Sequence, residues 1–216
     1  KRQVKQVMEA NGTLQSLGHN LGQQNYDGPI VILVDKLSAS ASEILAGVIQ
    51  DYDRGLVIGS QTFGKGTVQR MIELSHGHLK FTEQKYYRVS GESTQNKGVE
   101  PDITIPLVFN DEEIGERSYE NSLPYNHIDP IFYRSFNKVE NVDLLKTISS
   151  NRTNSNEMSI YISSQQDFYE NEKNNNAVPI NVEKRKFMKF AREAKILLME
   201  NTFRKSLNLD PFVTYD

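Results

Sequence analysis

Residues 29–69 read PIVILVDKLSASASEILAGVIQDYDRGLVIGSQTFGKGTVQ, and the fold follows from how this stretch divides. Residues 29–34 form an unbroken, β-branched apolar run with the length of a strand buried on both faces, as strands of parallel sheets are. Asp35-Lys36 ends it. Ser38, Ser40 and Ser42 then alternate ahead of Glu43, and Ala41, Leu45, Val48 and Tyr52 recur at the spacing of one helical face. Arg54-Gly55 closes that helix, Leu56-Val57-Ile58 is a second short strand, and 61–66 is a turn-rich loop carrying Lys65. A strand-helix-strand unit of this size implies parallel strands and a right-handed crossover. It places the serine-bearing helix start and the lysine loop at the carboxyl edge of the sheet, where α/β proteins keep their chemistry.

A hydroxyl at a helix start sits among unpaired backbone N–H groups at the positive end of the helix dipole, which favours negative charge developing on an attacked carbonyl. Such a serine needs a base. The four histidines, His19, His76, His78 and His127, lie in no strand-edge motif. Lys65 is nearer, and a lysine held among apolar groups gives up its proton more easily and can then accept one from serine. Its neighbours Phe63, Gly64, Gly66 and Val68 bring no charge. If 65–74 is extended, Lys65, Thr67 and Gln69 share a face, so the Gln69 amide can hold the lysine amine. A Ser-Lys pair is a known variant of Ser-His-Asp logic.

Plainer roles are open to the same residues. Ser40 and Glu43 fit a capping box, Lys65 fits a solvated loop lysine, and Gln69 fits an outward strand position. Asp51, near the end of the helix, opposes the dipole unless a partner such as Arg54 offsets it. The residues alone do not choose among the three serines. Gly59 to Lys65 also matches the first seven positions of a phosphate-binding P-loop. The eighth should be Ser or Thr and is Gly66, and the alternating residues 67–72 read as a strand where a P-loop opens a helix.

Ser38-Ala39-Ser40-Ala41-Ser42-Glu43, followed by Thr62-Phe63-Gly64-Lys65-Gly66-Thr67-Val68-Gln69, closely resembles the carboxy-terminal processing peptidases, and among them the tail-specific proteases of bacterial cell envelopes. The resemblance implies that Ser40 is the nucleophile, Lys65 the general base and Gln69 the group that orients it. The interval of 25 residues from Ser40 to Lys65 fits the family, and Asp51 matches a supporting acidic position of the tail-specific branch. The backbone N–H of Ala41 is the expected oxyanion donor. The likeness continues through 81–89 and 98–103, more weakly in 121–125 and at Ile128-Asp129, and is loose beyond residue 133.

The resemblance further implies an α/β fold, a crotonase-like α/β sandwich protease core followed by a mainly helical C-terminal region. Residues 1–109 are expected to be the C-terminal part of the catalytic core, and 110–216 a linker and the helical region. The expected substrates are cell-envelope proteins recognised by apolar C-terminal tails, in the periplasm, for a parent protein that is periplasmic or membrane-associated, with an adaptor protein as an optional partner. No metal or organic cofactor is implied. The family's PDZ domain and a glycine-rich segment that helps build the oxyanion hole precede this region and are not in this sequence, so the segment alone is expected to be poorly active. The alternative from another class is a non-catalytic binding or scaffold module on the same fold, against which the joint presence of Ser40, Lys65 and Gln69 counts.

The rest of the 216 residues adds boundaries. A net charge of -3, from 25 Lys+Arg against 28 Asp+Glu, argues against a dedicated nucleic-acid surface. The absence of cysteine excludes disulfides and thiolate metal sites, and no apolar run has the length of a membrane span. The start at Lys1 reads as a piece of something longer. Residues 1–28 read as a strand around Val4 and Val7, a turn at Asn11-Gly12 and a polar connector. The sequons at Asn11 and Asn151 are taken as chance. Strands are expected over 79–89 and 99–107, joined to the opening unit in a sheet, with a polar surface excursion over 110–127. Helical patterns begin after Pro130, as at 143–149. Residues 151–156 and 171–176 read as asparagine-rich loops, and 181–208 as a helix with an apolar stripe of Phe187, Phe190, Ala194, Leu197 and Leu198.

Overall fold

The computed structural model describes residues 2–19, 26–106, 113–136, 139–174 and 177–215. They fall into two compact units, one of 1–105 with 111–146 and one of 106–110 with 147–216. In chain order the first contains β1 (Arg2–Glu9), β2 (Leu14–His19), β3 (Val31–Val34), α1 (Ala41–Asp51), β4 (Leu56–Gly59), β5 (Thr67–Leu74), β6 (Gly77–Tyr87) and β7 (Ile103–Thr104). Then come α2 (Val142–Thr153), which runs on into the second unit, α3 (Asn156–Asn174) and α4 (Val182–Ser206). The fold is α/β with a helical C-terminal region.

The opening strand-helix-strand unit forms as its pattern requires. β3 and β4 pair in parallel from Val31↔Leu56 to Val34↔Gly59, and β7 joins the far side of β4, also in parallel. The core beneath α1 is Val34, Ala46, Val57 and Val99, with Ile32 packed against it. At Gly59 the chain takes a φ of 136°, and a Cβ there would stand 1.9 Å from the Val34 carbonyl oxygen, so only glycine lets the strand turn into the lysine loop.

Several expectations are corrected. β3 is not buried on both faces: Val31 and Leu33 are 54% and 75% exposed, because α1 covers one side of this edge strand and no other described element covers the second. From the apolar series that begins at Ala41, the buried side of α1 takes only Tyr52 and, in part, Val48. Leu45 is exposed, and Glu43, Ala46, Gly47 and Ile49 point inward. A carboxylate is tolerated there because backbone donors of the lysine loop satisfy it, as the site shows.

The strands make two sheets rather than one. β3-β4-β7 is parallel, and a separate antiparallel sheet runs β2-β1-β6-β5. Its long β5–β6 hairpin is mostly exposed toward the tip, which an antiparallel pair tolerates and a parallel one does not. Within it, residues 14–19, expected as polar connector, are the edge strand β2, paired with β1 from Arg2↔His19 to Met8↔Leu14. Asn11 Oδ1 accepts the Thr13 N–H in the tight connection; residues 20–25 of that connector lie outside the described residues. The strand expected over 99–107 is only Ile103–Thr104, with Leu107 outside the described residues.

Residues 113–127 run over the surface as expected, mostly exposed, while the expected positions 110–112 lie outside the described residues. Backbone bonds pin the strap 113–136 to the core: Glu116 N–H to Phe63 O, Ile128 N–H to Gly91 O, Ile131 N–H to Val89 O and Phe136 N–H to Tyr52 O. Tyr52 meets the Tyr133 ring edge-on at 5.3 Å.

The second unit is an antiparallel-style helix pair without a deep core. Tyr161 of α3 stacks on Phe203 of α4 at 4.3 Å, and its hydroxyl donates to Glu200. Phe168 is buried under Arg192 and Lys195. Two readings fail here. Residues 151–153 end α2, leaving only 154–155 as a turn, and 171–174 are the last turn of α3, where Glu172 pairs with Arg192 of α4 despite the weak helix propensity of asparagine; residues 175 and 176 lie outside the described residues. The apolar stripe of α4 is not a buried face, with Phe187, Phe190 and Leu198 each about two-thirds or more exposed. Asn181 does cap α4, accepting the Lys184 N–H at 2.9 Å. No described helix is long and apolar enough to cross a membrane.

Candidate active site

The turn after β3 sorts the three serines. Asp35 Oδ1 accepts the Leu37 and Ser38 N–H groups and the Ser38 hydroxyl, each at 3.0 Å, so Ser38 is committed to the turn. Ser42 is exposed on the first turn of α1 and does not line the cavity described below. Ser40, half-buried at the start of α1, has φ 55° and ψ -107°. A β-carbon-bearing residue held at positive φ is strained by about 1–3 kcal/mol, and such strain persists only where surrounding bonds enforce it.

Those bonds converge on Glu43. Its Oε2 accepts the Ser40 N–H at 2.7 Å and the Lys65 N–H at 2.9 Å, while Oε1 accepts the Gly64 N–H at 2.7 Å and the Thr62 hydroxyl at 2.6 Å. The residue is fully buried. Burial raises its carboxyl above the ordinary value of 4.5, against the opposing pull of Thr62, Gly64, Ser40 and Lys65. One carboxyl group thus fixes the backbone of the helix start against that of the lysine loop. The Phe63 N–H adds a bond to the Ser38 carbonyl at 3.0 Å.

Tyr86 makes the second junction. Its hydroxyl donates to the Lys65 carbonyl, lies 3.2 Å from the Ser40 carbonyl and accepts from the Thr94 hydroxyl. Burial pushes its phenol well above the ordinary value, so it stays a donor. Gln95, also fully buried, accepts the Gly66 N–H at 2.9 Å and donates to the Leu123 carbonyl at 3.0 Å, tying the loop to the 113–136 strap.

On this frame the Lys65 ammonium donates to Gln69 Oε1 at 3.2 Å, the contact expected if the two residues share a strand face. Ser40, Ala41, Lys65 and Gln69 line one open cavity of about 380 Å³. Lys65 is not enclosed by apolar groups; it is half-buried at the cavity wall. Asp51 is elsewhere. It ends α1, about 16 Å along the helix from Ser40, and pairs with Arg88 at 2.5 and 3.1 Å rather than with Arg54, which instead donates to the Tyr26 carbonyl. Its support is to the packing of α1 on the end of β6.

The P-loop match is removed by the same bonds. The N–H groups of Gly64, Lys65 and Gly66 are spent on Glu43 and Gln95, and the loop enters β5, not a helix. Glu43 was legible as half of a capping box and as the end of the serine motif, and Tyr86 as part of the 81–89 likeness, but the roles of both, and Gln95 altogether, were not, since their partners lie far away in sequence.

Tyr86→Phe tests the second junction. Removing the hydroxyl leaves the buried Lys65 carbonyl without that donor, and the expected cost is about 1–2 kcal/mol in urea unfolding. Because Tyr86 also lines the cavity described above, any chemistry of this site should fall in kcat/KM as the loop carrying Lys65 is displaced.

Residues 1–105 match the family model of peptidase family S41, which defines the class. Residues 109–216 match the model described as the C-terminal domain of tail specific protease, and the chain belongs to the tail-specific proteases of that family. It is 38% identical over 149 residues to the tail-specific protease of Haemophilus influenzae, covering 65% of this chain and 21% of the relative. It is 48% identical over 86 residues to the carboxy-terminal-processing protease of Bartonella bacilliformis, covering 39% of this chain and 20% of the relative. A solved photosystem II D1 C-terminal processing protease is 34% identical, with a TM-score of 0.41 over 48% of this chain and 27% of that one. The chain therefore spans about a fifth of the length of these curated relatives.

Proposed function

We propose that this chain carries the nucleophile and base of a serine endopeptidase. Ser40 Oγ attacks the peptide carbonyl carbon, and Lys65, once its amine is neutral, takes the hydroxyl proton and returns it to the leaving amine. Gln69 positions Lys65, and the Ala41 N–H donates to the developing oxyanion. The observation that carries this reading is the single buried carboxyl group that binds both the Ser40 and the Lys65 N–H while the two residues and Gln69 line one cavity. A scaffold module would have no need to hold those two backbones together in a strained conformation.

The substrates proposed are cell-envelope proteins recognised by apolar C-terminal tails in the periplasm, with or without an adaptor. The catalytic core is taken as residues 1–109 and the linker and helical region as residues 110–216. Further oxyanion donors and the tail-binding domain belong to other parts of the whole protein, so the isolated segment should cleave poorly, since one missing oxyanion donor costs about a hundred- to thousandfold.

The test is incubation of the full-length protein with an unfolded polypeptide ending in an apolar tail, and with a twin ending in charged residues, followed by mass spectrometry of the fragments. Preferential cleavage of the first supports the proposal. No cleavage of either sinks it, and parent-like rates from the isolated segment would overturn the need for the remaining parts.

A further inference from the structure

The cavity beside Ser40 holds more positive charge than a proton-transfer pair needs. Lys5 of β1 and Lys80 of β6 line it together with Lys65, and among the described residues no aspartate or glutamate does. Lys5 extends its Nζ to 5.8 Å from the centroid of the Tyr86 ring, the same ring whose hydroxyl reaches the Ser40 and Lys65 carbonyls. Neither Lys5 nor Lys80 has an ion-pair partner among the described residues. The carboxyl group closest in the chain to the nucleophile, Glu43, is turned inward and occupied by four donors. Three ammonium groups around one cavity repel one another, and an anion entering it relieves that repulsion.

We propose that this cavity is a carboxylate subsite, in which Lys5 and Lys80 seat an acidic group of the bound polypeptide beside the bond that Ser40 attacks. The group is either an Asp or Glu side chain or the terminal carboxylate of the chain. The proposal rests on the peptidase reading of Ser40 and adds to it a preference at the cleavage site, distinct in chemistry from an apolar tail. Lys5 and Lys80 come from two strands that β-pairing holds together, so the cationic wall is built by the antiparallel sheet and not by the helix start.

The test reads binding, not turnover. Full-length Ser40→Ala protein is titrated with fluorescent peptides by anisotropy: one with a central Glu and an amidated end, its Gln twin, and a Gln peptide with a free terminal carboxylate. The expected result is tighter binding of a carboxylate-bearing peptide by about fivefold for each lysine engaged, shrinking as salt rises. That advantage should vanish in Lys5→Ala/Lys80→Ala and persist in Lys80→Arg; Lys80→Ala alone, on the exposed part of β6, serves if the double variant is unstable. The Glu peptide winning assigns a side-chain carboxylate, and the free-ended peptide winning assigns a chain terminus. Equal binding of all three peptides, or a preference that survives removal of the lysines, overturns the subsite. Failure of the wild type to cleave any polypeptide would sink the peptidase reading and leave this binding result standing.

Discussion

Glu43→Gln is expected to lower the unfolding free energy by about 3 kcal/mol at neutral pH, because an amide nitrogen cannot accept the N–H bonds that one carboxyl oxygen now receives from Ser40 and Lys65. Two buried donors are left facing a third. The fold loses stability, but the site loses more: with the helix start and the lysine loop no longer fastened to a common point, peptidase activity of the full-length protein should fall at least about a hundredfold through misplacement alone. Urea unfolding and kcat/KM on one preparation measure both. The pH dependence carries a further sign. Burial raises the folded-state value of this carboxyl, so the folded chain binds its proton more tightly than the unfolded chain does. Its contribution is therefore full below the ordinary value of 4.5 and declines as pH rises through the folded value. A carboxylic acid gives up part of its acceptor capacity to its own proton, whereas glutamine does not titrate at all. The stability gap between wild type and Glu43→Gln should therefore be wider at pH 4.5 than at pH 7. A gap that narrows toward acid would mean that the four donors, not burial, control the titration.

Lys65→Ala should remove activity without removing the fold. The side chain is half-buried, and its one described bond is to Gln69, so unfolding should shift by no more than about 0.5 kcal/mol. Loss of the proposed base should lower kcat by about a thousandfold or more, and Ser40→Ala should do the same without adding to it, since residues acting as a unit do not lose activity additively. Lys65→Arg should be equally inactive, because a guanidinium keeps its proton. Retained cleavage in Lys65→Ala would remove the lysine from the mechanism while leaving the architecture untouched.

How much of this could be read from the chain depended on distance along it. The β3-α1-β4 unit was legible because its apolar periods, its turn residues and its parallel pairing are all settled within 29–59. The Lys65–Gln69 contact was legible for the same reason, being a same-face relation within one extended segment. What was not legible is non-local. The partner of Asp51 is Arg88, 37 residues on, not the nearby Arg54. Tyr86 joins Ser40 across 46 residues. The inward face of α1 was misread because hydropathy places a glutamate outside, and only the loop donors around Glu43 reverse that. Asparagine composition misplaced 171–174, where propensity does not show the pairing of Glu172 with Arg192 of α4. Edge strands such as β2 escape notice because water on one face permits polar residues that a pattern search counts as loop.

The convergence on Glu43 also governs how this region opens. The amides of Ser40, Gly64 and Lys65 all end on one carboxyl group, so none can be freed for long while the other two hold it in place. The Ser40 and Lys65 segments should therefore share a single opening event, with amide hydrogens that exchange with solvent as one cooperative group. A site built this way should pass between assembled and disassembled, with no half-open state in which Ser40 stays in place while Lys65 has drifted away.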